Sequence, residues 1–313
     1  MMLSSSVAAH SAKLPLVEYL AGRFTYLTKE EWQERILDQR VLVNNNPSAP
    51  DAVVGTGDRI TYMLPELVEP EADTNYATVY EDEWIVAINK PGNLLVHRAG
   101  ISITRNLVFL LRHASGNPAY SSIHSVSRLD RETSGLVLFA KSADSLRSLH
   151  RAFAAKAVEK EYVAVVHNAL SQQTLSVNLP IGPDMASAVH YKFAVDSAHG
   201  KAASTVIERV SSAGNFSLVR ARPLTGRTHQ IRIHLAGIGN PVVGDKLYGM
   251  PESDYLAWRS DPKGHLHLLE FPRQALHCRR LTFVHPVTGE TLSLEAPLPE
   301  DMLGLIRRLG LTL

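Results

Sequence analysis

The sequence predicts an α+β protein, with a mixed, largely antiparallel sheet and flanking helices, preceded by a small α/β domain. Three observations predict it. From Tyr76 onward strand-like segments dominate and are not regularly separated by crossover helices, which argues against a doubly wound parallel sheet. Short apolar runs such as "GLVLFAKS" and "KEYVAVVHN" are bounded by turn residues, as core strands are. Upstream, residues 14–62 carry two segments of helical period and two short strand-like ones. The 313 residues hold one large domain and a small companion.

Each element follows from its local pattern. "PLVEYLAGRF" and "TKEEWQERILDQR" space apolar residues as helices do, and Thr28 with Glu31 forms a capping box for the second. "VLVN" and "GDRITYM" are strands around a turn-rich stretch. The domain is thus expected over residues 1–62, with 1–13 a flexible tail. The acidic "PELVEPEADTN" has two prolines and no apolar period, so 63–75 is a linker and 76–313 the main domain. There, "TVYEDEWIVAINKP" is strand-like up to its proline. "ADSLRSLHRAFAAK" is a helix with Leu146, Leu149 and Phe153 on one face. "NFSLVRARPLT" alternates like a half-buried strand, and the turn "TGRT" leads into a helix, "HQIRIHLA", closed by Gly237. "LTFVHP", "VTGE" and "TLSLEAP" make a hairpin.

Composition removes several classes. No run of about 18 apolar residues exists, so no membrane partner is expected. The N-terminal stretch lacks the basic start and apolar core of a secretory signal. One cysteine, Cys278, cannot form an internal disulfide, which fits a cytoplasmic protein; a monomer is expected. The net charge of +1 hides asymmetry. Lys201 to Leu235 holds Lys201, Arg209, Arg220, Arg222, Arg227 and Arg232 against Glu208 alone, whereas Pro65 to Asn89 holds seven acids and no Lys or Arg. A basic face is therefore available to nucleic acid.

No metal or cofactor is expected. The chain has fourteen histidines but no H-E-x-x-H and no paired cysteines. His229 and His234 lie about 140° apart around a helix and cannot share an ion. His265 and His267 alternate as on one side of a strand, without a third ligand. No Gly-rich phosphate loop or G-x-S-x-G elbow occurs.

The densest chemistry is "SRLDRETSG", which sets Arg128, Asp130, Arg131 and Glu132 at the mouth of the apolar run "LVLFA". Such an aspartate ordinarily caps a turn. A second compact cluster, "TGRTHQIR", offers Arg227 and Arg232 at another strand end. A cation there can pair with a carboxylate from a different strand, holding it ionised and oriented.

These segments, in order, resemble the RluA-type pseudouridine synthases: "INKPGNLLVH", "SRLDRETSGLVLFAKS", "KEYVAVV", "LTGRTHQIRIHLAGIGNPVVGDKLYG" and "ALHCRRLTFVHPVTGE". The similarity runs over roughly residues 76–297. Residues 14–62 look like the small RNA-binding domain named after ribosomal protein S-four. The resemblance implies isomerisation of uridine in structured ribosomal or transfer RNA to pseudouridine: the base is cut from the ribose, turned, and rejoined through carbon 5. It implies an essential aspartate at Asp130, which attacks the sugar or removes a ribose proton. It implies Tyr162 stacked on the target base, Arg227 paired with the aspartate, and Arg128 in base flipping. Further RNA contacts are expected from Arg131, Lys160, Thr228, His229 and Arg232.

Physical chemistry is consistent with these roles. A base inside a helix must be extruded at roughly a few kcal/mol, and an aromatic platform returns about 1–3 kcal/mol. Alone, a strand tyrosine is ordinarily core; the joint pattern carries the inference. The family's histidine before Arg-Leu-Asp is Ser127 here, which removes a ring from beside Arg128. Between Lys13 and Arg40 five basic residues meet five acidic ones, few for an RNA-binding module. The rival reading is a non-catalytic RNA-binding protein on the same scaffold; Asp130, Tyr162 and Arg227 together favour the enzyme.

Overall fold

The computed structural model describes residues 2–24, 27–63 and 68–313. The chain divides into two compact units, residues 1–70 with 98–105, and residues 71–97 with 106–313.

The first unit contains β1 (Met2–Ser6), α1 (Leu16–Arg23), α2 (Lys29–Leu37), β2 (Val41–Val43), β3 (Asn46–Pro47) and β4 (Arg59–Met63), its antiparallel strands in the order β1-β4-β2-β3. The capping box of α2 forms as its sequence implies: Glu31 N donates to Thr28 Oγ1 at 3.2 Å, and Thr28 N to Glu31 Oε2 at 2.7 Å. Tyr19, Phe24, Trp32 and Tyr62 are buried together as an aromatic core. The expected tail is corrected in part: Met2–Ser6 pairs along the whole of β4, because that strand offers an edge of backbone groups that need partners. Residues 64–67 of the expected linker lie outside the described residues. Its Glu69 is no linker residue, since its buried carboxylate accepts the N–H groups of Ile103, Thr104 and Arg105 at 2.9–3.0 Å.

The second unit is built on a ten-stranded sheet. Its strands are β5 (Ala77–Glu81), β6 (Ile85–Lys90), β7 (His124–Ser125), β8 (Ser134–Ala140), β9 (Glu159–His167), β10 (Thr174–Val177), β13 (Thr205–Ala213), β14 (Phe216–Pro223), β15 (Leu276–Val284) and β16 (Thr291–Glu295); β11 (Ile181–Pro183) and β12 (Phe193–Val195) form a separate pair. The main path runs β10-β13-β14-β9-β15-β8-β6-β5. The helices are α3 (Leu107–Phe109), α4 (Ala143–Ala154), α5 (Gln230–Gly237), α6 (Glu252–Ser260) and α7 (Glu300–Arg308). The mixed, largely antiparallel α+β class is as expected: among the described residues of this sheet only β15 and β8 pair in parallel, over His277↔Ser134 and Cys278↔Gly135.

Three local expectations change. "TVYEDEWIVAINKP" is a hairpin, because the Asp82 carboxylate takes the N–H groups of Trp84 and Ile85, each at 2.8 Å, and turns the chain. His265 and His267 flank and enter a 3₁₀ turn, Leu266–Leu268, and share no strand. Gly237 is the last residue of α5, and the turn beyond it is made by Gly239 at φ +81°, whose N–H reaches Ala236 O.

Gly135 fixes how the central strands meet. Its φ of +110° is closed to other side chains, and a Cβ there would stand 2.2 Å from Cys278 O. Because β8 carries the "RLD" loop into the core, this contact also fixes where that loop begins. Gly135→Ala is expected to lower stability by about 3 kcal/mol or more, read as a fall in the denaturant midpoint; an unchanged midpoint would show that the strands separate without cost.

Candidate active site

Asp130 lies on the loop between β7 and β8, where Thr133 N donates to Asp130 O at 3.2 Å. All seven residues of β8 are buried, so the loop rises from a fixed base. Asp130 keeps 31% of its side-chain surface exposed. Its Oδ2 accepts from Arg232 Nη1 at 2.8 Å. His229 Nε2 stands 3.9 Å from Oδ1.

Arg232 is therefore the cation on Asp130, and this corrects two expectations. Arg227, expected as the ion-pair partner, precedes the helix; it is exposed, and its Nε donates to Ala202 O at 3.1 Å. Arg232, expected to contact RNA, is buried in the first turn of α5. Its other edge makes a two-pronged pair with Asp245, Nε to Oδ2 at 2.6 Å and Nη2 to Oδ1 at 2.8 Å. Asp245 is itself fully buried, and its Oδ1 also accepts Leu247 N and Tyr248 N at 3.0 and 3.1 Å. The guanidinium lies 4.9 Å from the centre of the Tyr248 ring. The Tyr248 hydroxyl meets His229 Nδ1 at 2.9 Å. His229 takes a left-handed conformation, φ +54°, as the residue before α5.

The electrostatics follow. Burial pushes the Asp130 carboxyl upward, but the Arg232 charge, His229, and hydrogen bonds from Arg232 and Gln274 outweigh it and hold the carboxyl below its usual range. His229 is lowered by burial and by Arg232, against the pull of Asp130 and Asp245. Asp130 is thus ionised at neutral pH.

Other expected residues fall into two groups. Tyr162 comes from β9, in register with Cys278 of β15 and Ala221 of β14. Its phenol is raised well above 10 by burial, then by Cys278 and the Asp130 charge, so the hydroxyl stays protonated. Lys160, two residues earlier, lies on the same face and is lowered by burial. Arg128 and Thr228 are exposed beside Arg227 in the exposed set, whereas Arg131 and His229 are half-buried. Glu132 does not face outward: its Oε1 accepts from Lys246 Nζ at 2.7 Å and its Oε2 from Gln274 N at 3.2 Å.

The sequence reading passed over Lys90, Asp245, Tyr248 and Gln274. Lys90 ends β6 fully buried, and its Nζ donates to Pro91 O at 2.8 Å and Arg131 O at 3.1 Å, tying the residue after Asp130 to the sheet. Burial and then Arg273 push its amine down to about 7. The place of Asp245 follows from the burial of its partner, which only the fold shows. In α5 every residue from Gln230 to Leu235 is buried, and an arginine in such a helix demands a buried carboxylate.

The arrangement provides an ionised carboxylate, fixed by a buried guanidinium, with an aromatic ring and a lysine on β9, beyond β15 in the sheet. Among the described residues no cluster of three or more His, Cys, Asp or Glu side chains is placed to hold a metal ion. No helix among them is long and apolar enough to cross a membrane.

Comparison with known proteins places this geometry in context. Residues 84–237 match the family model described as RNA pseudouridylate synthase. The chain is 33% identical to an uncharacterized RNA pseudouridine synthase of Bacillus subtilis (strain 168), over 92% of this chain and 93% of that protein. It is 32% identical to the ribosomal large subunit pseudouridine synthase D of Blochmanniella floridana, over 96% of each. Among solved structures, human RNA pseudouridylate synthase domain containing 4 superposes with a TM-score of 0.57 at 26% identity, covering 76% of this chain and 94% of that one.

Two outcomes test these electrostatics. Arg232→Met leaves two carboxylates without their cation, so the Asp130 carboxyl should titrate at higher pH in a carboxyl-resolved NMR titration, and stability should fall by about 3–5 kcal/mol. For Lys90 the sign is opposite. Between about pH 7 and 10 the unfolded chain binds a proton that folded Lys90 does not, so the group makes stability rise with pH in that window. Lys90→Met should flatten that rise in denaturant midpoints; an identical slope would show that the amine is charged in the fold.

Proposed function

This chain belongs to the RNA pseudouridylate synthase family, and from that premise we propose that Asp130 is the residue on which its uridine isomerisation turns. The single observation that carries the proposal is the Asp130–Arg232 pair, which keeps a partly exposed carboxylate ionised. In the reaction the bond from the ribose anomeric carbon to N1 breaks, the base turns, and a bond to C5 forms. The proton on C5 leaves and N1 gains one, so nothing enters or departs overall. Attack on the sugar and removal of a ribose proton both require a carboxylate without its proton, held in one orientation. Arg232 meets both needs from a buried position. Its pairing with Asp245 prevents it from following the carboxylate or from neutralising it by proton transfer.

Tyr162 supplies the surface for the displaced base. It sits on β9, separated by β15 from the strand that the Asp130 loop enters, and its phenol feels the Asp130 charge. The protonated phenol suits it to stacking and hydrogen donation, since a base would need the phenolate that burial disfavours. The exposed Arg128, Arg227 and Thr228 are assigned to the RNA backbone and to holding the target nucleotide out of its helix. Structured ribosomal RNA of the large subunit is the proposed substrate, supported by relatives that bear that name. The first unit is proposed as an RNA-binding appendage of the S-four kind, with a small contribution to affinity.

Asp130→Asn keeps the shape and removes the charge. It should abolish turnover, with melting temperature and RNA affinity close to wild type. Pseudouridine formed at the normal rate, measured by chemical mapping of the RNA, would remove Asp130 from the chemistry. A wild-type chain that binds RNA and modifies none would favour the non-catalytic reading. Tyr162→Phe should bind RNA as well as wild type and turn over more slowly, whereas Tyr162→Ala loses both; equal single-turnover rates for Phe and wild type would leave the hydroxyl no part.

A further inference from the structure

Tyr162 and Lys160 point to one face of the sheet, and Glu161 between them points to the other. That opposite face carries a second concentration of charge. Glu161, Arg220, Arg222, Arg279 and Arg280 line an open pocket of about 300 Å³. Arg220 and Arg222 share the face because they are two apart on β14. Arg279 and Arg280 are adjacent and should point to opposite faces. They both reach the pocket where the β15–β9 register is irregular: Cys278 opposes Tyr162, and Arg280 already opposes Glu161, so one extra residue is accommodated between. A bulge re-aims a side chain in this way, and such features gather near functional sites.

The pocket is not neutral. Three carboxylates stand against its four guanidinium groups. Glu208 accepts one bond each from Arg220 and Arg222, both at 3.2 Å. Glu161 lies 3.6 Å from Arg222. Glu295 accepts from Arg280 Nε at 2.6 Å. Arg279 stands 4.0 Å from Glu295, beyond hydrogen-bond reach. One positive charge is left over, with guanidinium N–H groups turned toward an opening, and arginine forks match phosphate oxygens.

We propose that this arginine pocket binds a phosphodiester of the RNA substrate, as a second backbone contact on the face of the sheet opposite Tyr162. The inference rests on the RNA reading above and deepens it. A phosphodiester carries the single negative charge that the pocket leaves unbalanced. An RNA that touches both faces must pass around the strand ends, where β9 begins and β14 finishes. The pocket therefore selects a folded RNA over a short hairpin, and it acts on affinity rather than on the chemical step.

The test is filter binding of the full chain to an in vitro transcribed large-subunit ribosomal RNA across a salt series, with single-turnover pseudouridine formation on the same RNA. Arg279→Gln with Arg280→Gln orphans no buried carboxylate, since Glu295 is exposed. The double variant should bind about tenfold more weakly, with a log–log salt slope shallower by roughly one. Its rate at saturating RNA should stay within about twofold of wild type. Arg279→Lys, which keeps the charge, should retain the slope. Unchanged affinity and slope in a double variant with normal melting would overturn the proposal. So would inorganic phosphate raising the melting temperature of wild type but not of the double variant while RNA binding is untouched, which marks a free-oxyanion site. Loss of affinity in the variants with catalysis intact supports the pocket and leaves the Asp130 reading standing. A wild type that neither binds nor modifies this RNA overturns both.

Discussion

Arg232 is the residue on which the rest of the site depends. A guanidinium taken out of water is costly, and it is tolerated only where carboxylates take up its donors. Here Asp245 takes two and Asp130 a third, while Tyr248 lies against the face of the group. The consequence is mutual. Asp245 is closed to solvent and anchored by backbone N–H groups, so Arg232 cannot move, and Asp130 is held by something that is itself held. Asp130 is the most exposed member of the three, with 31% of its side-chain surface open against 9% for Arg232 and none for Asp245.

Around that triad, the supports come from distant parts of the sequence. Lys90 at the end of β6 grips the carbonyl of Arg131, and Gln274 reaches Thr133 at 2.5 Å. Glu132 is tied to Lys246, and Arg273 to both Glu132 O and Asp301. The "RLDRET" loop, polar and irregular, is thus fastened at almost every residue. Such fastening is what a loop needs if its partly exposed carboxylate, Asp130, is to keep a fixed direction. Lys90, His229 and His277 show the same constraint from the other side: burial lowers all three, and for His229 burial together with Arg232 outweighs the pull of Asp130 and Asp245.

The alternation of the sheet separates two groups of side chains. On β9, Tyr162 and Lys160 share one face, and Glu161 lies with the arginines on the other. The irregularity in β15 beside Tyr162 bears on both faces at once, since it sets Cys278 against the tyrosine and frees Arg279 to turn toward the other side.

The sequence by itself determined the class of fold, most strands and helices, the capping box at Thr28, and the two charged segments that supply Asp130 and Arg232. These are local: they depend on period, turn residues and short spacing. It also directed attention to Asp130 and Tyr162, through motifs that a resemblance made legible. Only the tertiary structure decided which arginine meets the aspartate. Arg227 and Arg232 are five residues apart in one motif, and nothing local separates them. One precedes a helix and stays in water; the other lies inside a helix buried on all sides and must find carboxylates from elsewhere in the chain. The same limit hid Asp245, Lys90 and the arginine pocket, whose members lie on different strands or loops and meet because of strand order, and whose charges acquire a meaning only from what is buried beside them.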